Sequence, residues 1–224
     1  MSMWIKICGN TTLEDALVAA EAGANAVGFV FAPSPRRVTV EQVAAITPHL
    51  PASVEKIGVF VDAELEEIIS TVQRGGLTGV QLHWEAAHEL PARLREHLSA
   101  ARVLRVVHFS AESAAHHAAQ IAEHARNPHV DAVLVDSRTA AAVGGTGLAF
   151  DWEAARNLFS QNAEMPLRIV AAGGLNPDNV AAAIRSLRPW GVDAVTGVEA
   201  APGRKDASKV REFVRHAREG NSTG

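Results

Sequence analysis

Short runs rich in Val, Ile and Phe recur along the chain, and amphipathic segments separate them. The runs are Trp4 to Cys8, Asn25 to Phe31, Glu55 to Val61, Gly79 to His83, Arg102 to His108, Asp131 to Asp136, Leu167 to Ala171 and Val192 to Val195. Most are nearly continuous in apolar character, the pattern of parallel strands covered on both faces. The segments between them repeat at helical spacing. Leu13, Ala16, Leu17 and Ala20 fall at i, i+3, i+4 and i+7, as do Leu65, Ile68, Ile69 and Val72, then Val180, Ala183, Ile184 and Leu187, then Val210, Phe213, Val214 and Ala217. Thr11 with Glu14 and Thr39 with Gln42 read as capping boxes that start two of these helices. Strand and helix pairs repeated about every 27 residues predict an α/β fold, a single (β/α)8 barrel of near-minimal size occupying residues 1–224 as one domain. An open doubly wound sheet is the competing reading. The barrel is preferred because glycine-rich and polar residues follow strand ends throughout the chain and do not gather at one switch point. Gly220 to Gly224 read as a frayed tail.

Composition narrows the function. Of the 224 residues, 47% are hydrophobic and 21% charged, as in an ordinary globular protein. The formal net charge of −4 lacks the basic excess of a protein that grips nucleic acid, so no nucleic-acid partner is expected. No apolar run approaches the length of a membrane span, and the first fifteen residues do not form a signal peptide, so the expected setting is cytoplasmic, with no membrane partner. The single cysteine, Cys8, excludes an internal disulfide. Ten histidines are many, yet no His-Glu-x-x-His segment occurs, and structural or solvent-facing roles are expected for them.

In a barrel the chemistry belongs at the carboxyl ends of the strands. Cys8 ends the first run a few residues before a helix start, whose partial positive charge can favour a thiolate; a small buried hydrophobe is the alternative. Asp136 ends a wholly apolar run, where desolvation would let it hold a proton near neutral pH; a helix cap or ion-paired carboxylate is the alternative. Gly144-Gly145-Thr146-Gly147 is either a lid or a turn. Gly173-Gly174 after the seventh run and Thr196-Gly197 after the eighth offer backbone N–H groups to an anion, in the customary phosphate position of this fold, or else form tight turns. Arg36, after Ser34-Pro35, offers a guanidinium suited to a carboxylate.

With these segments located, the sequence resembles the phosphoribosylanthranilate isomerase family over essentially its whole length. The resemblance is carried by Lys6-Ile7-Cys8-Gly9, Gly28-Phe29-Val30-Phe31 with Ser34-Pro35-Arg36, Gly58-Val59-Phe60-Val61, Val80-Gln81-Leu82-His83, Gly144-Gly145-Thr146-Gly147 with Phe150-Asp151-Trp152, Ala172-Gly173-Gly174-Leu175-Asn176-Pro177, and Gly197-Val198-Glu199 with Pro202-Gly203 and Lys205-Asp206. The resemblance implies an Amadori rearrangement in tryptophan biosynthesis, with a small phosphorylated substrate and without metal or organic cofactor. It implies Asp136 as general acid and Cys8 as general base. It implies Arg36 on the anthranilate carboxylate, and Gly173, Gly174, Thr196 and Gly197 around the 5′-phosphate. Monomers and homodimers both occur on this scaffold, and the surface pattern does not choose between them.

Two positions depart from the family pattern. Val195 and Thr196 stand where a serine pair is usual, which keeps one hydroxyl. Trp84 stands where glycine usually follows the Gln-Leu-His run, and is expected to cover the barrel rim, with stacking on the substrate ring or narrowing of the pocket as alternatives. Two other functions compete. A histidine-pathway type of isomerase acting on another phosphoribosyl amine commonly uses aspartates at both strand ends, whereas Cys8 stands at the first. A non-catalytic phosphosugar-binding barrel would have no need of both proton-transfer groups.

Overall fold

A computed structural model describes residues 3–84, 86–136, 156–159 and 168–222. Eight strands form a closed barrel in chain order: β1 (Trp4–Ile7), β2 (Ala26–Val30), β3 (Glu55–Phe60), β4 (Gly79–Leu82), β5 (Arg102–His108), β6 (Ala132–Asp136), β7 (Arg168–Ala172) and β8 (Gly191–Ala194). All neighbouring pairs are parallel, and β8 closes on β1 with Lys6 opposite Asp193 and Ile7 opposite Ala194. The open-sheet alternative is thereby excluded. A short antiparallel ribbon, β9 (Glu199–Ala201) with β10 (Arg204–Lys205), follows the last barrel strand.

Helices α1 (Leu13–Glu21), α2 (Val40–Ile46), α3 (Leu65–Gly75), α4 (Leu90–His97), α5 (Ala114–Arg126), α6 (Val180–Leu187) and α7 (Ala207–Ser222) surround the strands. The apolar positions read from helical spacing are the ones turned inward: Ile68 and Val72 of α3, Val180, Ala183, Ile184 and Leu187 of α6, and Val210, Phe213, Val214 and Ala217 of α7 are buried. Leu13 and Leu17 of α1 are partly buried against the same core. The continuous apolar character of the strands follows from two cores. One lies between strands and helices and includes Ile5, Ile7, Val27 and Phe29. The other fills the barrel with Trp4, Ala26, Ile57, Leu104, Ala132 and Val170. Alternate residues of one strand therefore serve different cores, as period-two geometry requires.

Two local expectations are corrected. The cap of α1 is Thr12, whose hydroxyl accepts the Asp15 N–H at 3.2 Å; Thr11 and Glu14 form no capping box, because the Thr11 hydroxyl donates to the Gly203 carbonyl at 2.6 Å. The box at Thr39 and Gln42 forms as expected. Helix α7 continues to Ser222, so residues 220–222 are not a frayed tail. Gly220 packs on Ala181 of α6 so closely that a Cβ there would lie 2.9 Å from the Ala181 Cα. Leu167 and the segments Gly144 to Gly147 and Phe150 to Trp152 lie outside the described residues.

Candidate active site

The inside of the barrel changes character along its axis. Above the apolar layer, the inward positions near the carboxyl ends are Lys6, Cys8, Gln81, Asp136 and Asp193, all buried. They sit beneath or along a cavity of about 260 Å³ at the barrel mouth, and the candidate catalytic, carboxylate-binding and phosphate-binding residues line it: Cys8, Arg36, Asp136, Gly173, Gly174, Thr196 and Gly197. Strand ends far apart in the chain become neighbours because the barrel closes.

Cys8 lies one residue beyond β1, and its backbone N–H is fixed to the Ala194 carbonyl at 2.9 Å. Its thiol needs a gap in β2: a Cβ on Gly28 would meet the Cys8 Sγ at 2.5 Å, so glycine at 28 is a steric requirement of the thiol. The electrostatics differ from the sequence expectation. Burial is the largest influence and pushes the Cys8 thiol above its ordinary pKa; Lys6 pulls it down, Asp193 pushes it further up, and Lys205 pulls it down weakly. Helix α1 begins only at Leu13, with Thr12 as its cap.

Asp136 is the last residue of β6 and is 3% exposed. Beside it, beyond β4 and at the end of β5, His83 and His108 meet edge to face with ring centroids 4.9 Å apart. Ring nitrogens of these histidines and a carboxylate oxygen of Asp136 all lie within 4.8 Å of one another. Gln81 bonds His83 Nδ1 at 3.3 Å through its side-chain nitrogen, while its Oε1 is buried without a hydrogen-bond partner among the described residues. His83 also lines the cavity, so at least one histidine has a place in the site that the sequence reading did not assign.

Arg36 arrives at the cavity in a defined orientation. Its Nε donates to Glu199 Oε1 at 2.7 Å and its Nη2 to Glu199 Oε2 at 2.6 Å, a bidentate fork. Burial works to raise the Glu199 pKa, but Arg36 and Lys205 outweigh it and hold the carboxyl below its ordinary value. Lys205 Nζ donates to Glu199 Oε1 at 3.2 Å and to the Cys8 carbonyl at 2.6 Å, which ties the arginine's anchor to the cysteine's backbone. Burial is the main cause of the lowered Lys205 pKa.

On the opposite side, Gly173 and Gly174 take φ values of +89° and +65°, a left-handed pair after β7 that bulkier residues rarely adopt. The loop after β8 presses against it: a Cβ on Gly197 would lie 2.1 Å from the Leu175 carbonyl oxygen. Two loops in such close approach can turn backbone N–H groups toward one anion. Trp84 does not enter this cavity. It packs on the outer core and lines a separate groove with Asp62, Leu65 and Leu90, which agrees with rim coverage and with neither stacking nor narrowing.

The sequence profile of the N-(5′-phosphoribosyl)anthranilate isomerase family matches residues 5–216. The chain belongs to that family. An N-(5′-phosphoribosyl)anthranilate isomerase of Pelobacter propionicus is 46% identical over 219 residues, covering 97% of both chains. Among solved structures, a phosphoribosylanthranilate isomerase in complex with reduced 1-(o-carboxyphenylamino)-1-deoxyribulose 5-phosphate superposes with a TM-score of 0.80 at 35% identity, over 97% of this chain and 99% of that one. A second, described as mutually generated monomers of the dimeric enzyme from Thermotoga maritima, gives a TM-score of 0.78 at 35% identity with the same coverage. Members of the phosphoribosylanthranilate isomerase family are aldose–ketose isomerases, and the chain is an enzyme of this class in tryptophan biosynthesis. No helix among the described residues is long and apolar enough to cross a membrane.

Proposed function

We propose that this cavity carries out the Amadori rearrangement of N-(5′-phosphoribosyl)anthranilate through Asp136 as general acid and Cys8 as general base. The carboxyl group of Asp136 gives a proton to the ribose ring oxygen as the C1′–O bond breaks, which leaves an open-chain iminium ion. The Cys8 thiolate removes the proton from C2′, and the electron pair of that C–H bond neutralises the iminium to an enolamine. Ketonisation then gives the 1-amino-1-deoxyketose, with no atom gained or lost. Acid and base catalysis of this kind contributes roughly 100- to 10,000-fold in rate per group.

The remaining residues fix the substrate at both ends. Arg36 takes the anthranilate carboxylate, with Glu199 holding its guanidinium plane in the required direction. The backbone around Gly173, Gly174 and Gly197, with the Thr196 hydroxyl, takes the 5′-phosphate. Restraint at two points sets the sugar between acid and base, where orientation lowers the barrier. The protein acts as a monomer or homodimer in a reducing cytoplasm, where the thiol of Cys8 stays available.

The observation that carries this reading is the convergence of Cys8, Asp136, Arg36 and both glycine loops on one cavity. The fluorescence of the anthranilate substrate tests it directly. Cys8→Ala and Asp136→Asn are each expected to lower kcat by at least about a hundredfold with KM little changed. Near-normal decay of the signal with either variant would remove that residue from the mechanism.

A further inference from the structure

A charged lysine wholly enclosed in the barrel is costly unless it is paired and hydrogen-bonded. Lys6 is two residues before Cys8, so both face the barrel interior. Closure between β1 and β8 sets Lys6 directly opposite Asp193, and Lys6 Nζ lies 3.0 Å from Asp193 Oδ1. The lysine is 0% exposed and the aspartate 5%. Replacing such a buried pair by apolar side chains is often neutral or stabilising, so stability alone does not account for it. Asp193 lines the cavity that Cys8 lines, and the Lys6 ammonium, on the same inward face two residues away, acts on the Cys8 side chain by charge.

We propose that Lys6 and Asp193 form a positioning pair for Cys8, in which the ammonium eases proton loss from the sulfur against the effect of burial and the carboxylate limits how far it does so. The inference rests on the reading of Cys8 as the base and adds the groups that ready it. Other charges face the cysteine and are already committed. Lys205 on β10 is bonded to Glu199 and to the Cys8 and Val195 carbonyls, Glu199 also holds Arg36, and Asp136 on β6 acts on Asp193. Burial works to lower the Lys6 pKa, but Asp193 and Cys8 raise it overall, so the ammonium persists in the interior. Of the two lysines that pull the thiol down, Lys6 is the stronger.

Because Cys8 is the only cysteine in the chain, alkylation by iodoacetamide reads its thiolate and no other. The pH profile of the alkylation rate is measured on the full chain, with folding of each variant checked by near-ultraviolet circular dichroism. Lys6→Met, nearly isosteric and neutral, is expected to move the profile to higher pH and to slow alkylation at least about tenfold at neutral pH, as a shift of one pKa unit requires. Asp193→Asn is expected to move it the opposite way and to speed alkylation several-fold. A purely structural pair would move neither profile, or both in one direction, and either result overturns the proposal. Should Lys6→Met fail to fold, Asp193→Asn decides alone: a shift to lower pH supports the pair, and no shift or the opposite shift refutes it. Alkylation does not depend on turnover, so this outcome stands apart from whether Cys8→Ala abolishes the isomerase reaction.

Discussion

At the amino end of the barrel Trp4 stacks on Trp190 with ring centroids 5.1 Å apart, and Arg168 and Arg102 lie over the Trp190 ring at 4.9 and 5.5 Å. At the carboxyl end the same barrel encloses Lys6, Cys8, Gln81, Asp136 and Asp193. Charges at the amino end stay at the rim, where Arg102 forks onto Glu55 and both keep partial contact with solvent. Charges at the carboxyl end are drawn inside and paired with one another. One end is closed by apolar area and rim ion pairs that reach water. The other keeps polar groups dehydrated, where their mutual influence is strong enough to set protonation. A barrel that shares its strands between these two tasks can lose one with limited effect on the other.

The largest departure is expected at the closed end. Trp4→Ala should cost about 3–5 kcal/mol in unfolding free energy, because it removes a buried indole and its stacking contact with Trp190. In the remaining folded protein kcat and KM should be nearly unchanged; denaturant unfolding with parallel assays checks both. At the open end Gly28→Ala should cost about 1–3 kcal/mol by overpacking and displace the Cys8 sulfur, which makes it the one change that harms both tasks. Its mark is a loss of Cys8 alkylation larger than its loss of stability.

Arg36→Ala is expected to raise KM about tenfold or more with a smaller effect on kcat, since the fork acts on binding. An unchanged KM would take Arg36 out of the site. The smallest effect is the acid response of Glu199. Its folded pKa lies below the unfolded value of about 4.3, so its contribution is fully present above that pH and is lost as pH falls through the folded value. Glu199→Gln should remove that portion of the acid limb in thermal unfolding at graded pH, and should raise KM by loosening Arg36.

The fold was legible because most of the strand runs are nearly continuous in apolar character. A run such as 132–136 has no polar alternation to obscure its limits, and the predicted strands differ from the observed ones by a residue or so at their ends. The cap at Thr39 was legible for a similar reason, since both halves of its box are local. The cap at Thr12 was not, because the hydroxyl of Thr11 is claimed by Gly203, 192 residues away. The same distinction runs through the site. Cys8, Asp136, Arg36 and the glycine loops stand out by where they follow strand ends. The partners that orient them do not, because Lys6 with Asp193 and Arg36 with Glu199 are 187 and 163 residues apart. Only the closed register of the barrel brings each pair together, and hydrophobic pattern specifies which strands exist without specifying which side chains meet across them.

The central claim is that one thiol and one carboxyl group address the same sugar. A crystal structure of this chain with the reduced product analogue bound tests it most directly. The account predicts the Cys8 sulfur within about 3.5 Å of C2′ and an Asp136 oxygen within about 3.2 Å of the oxygen that leaves the ribose ring, with the phosphate against Gly174 and Gly197. A ligand whose five-carbon chain lies beyond reach of either group would contradict it.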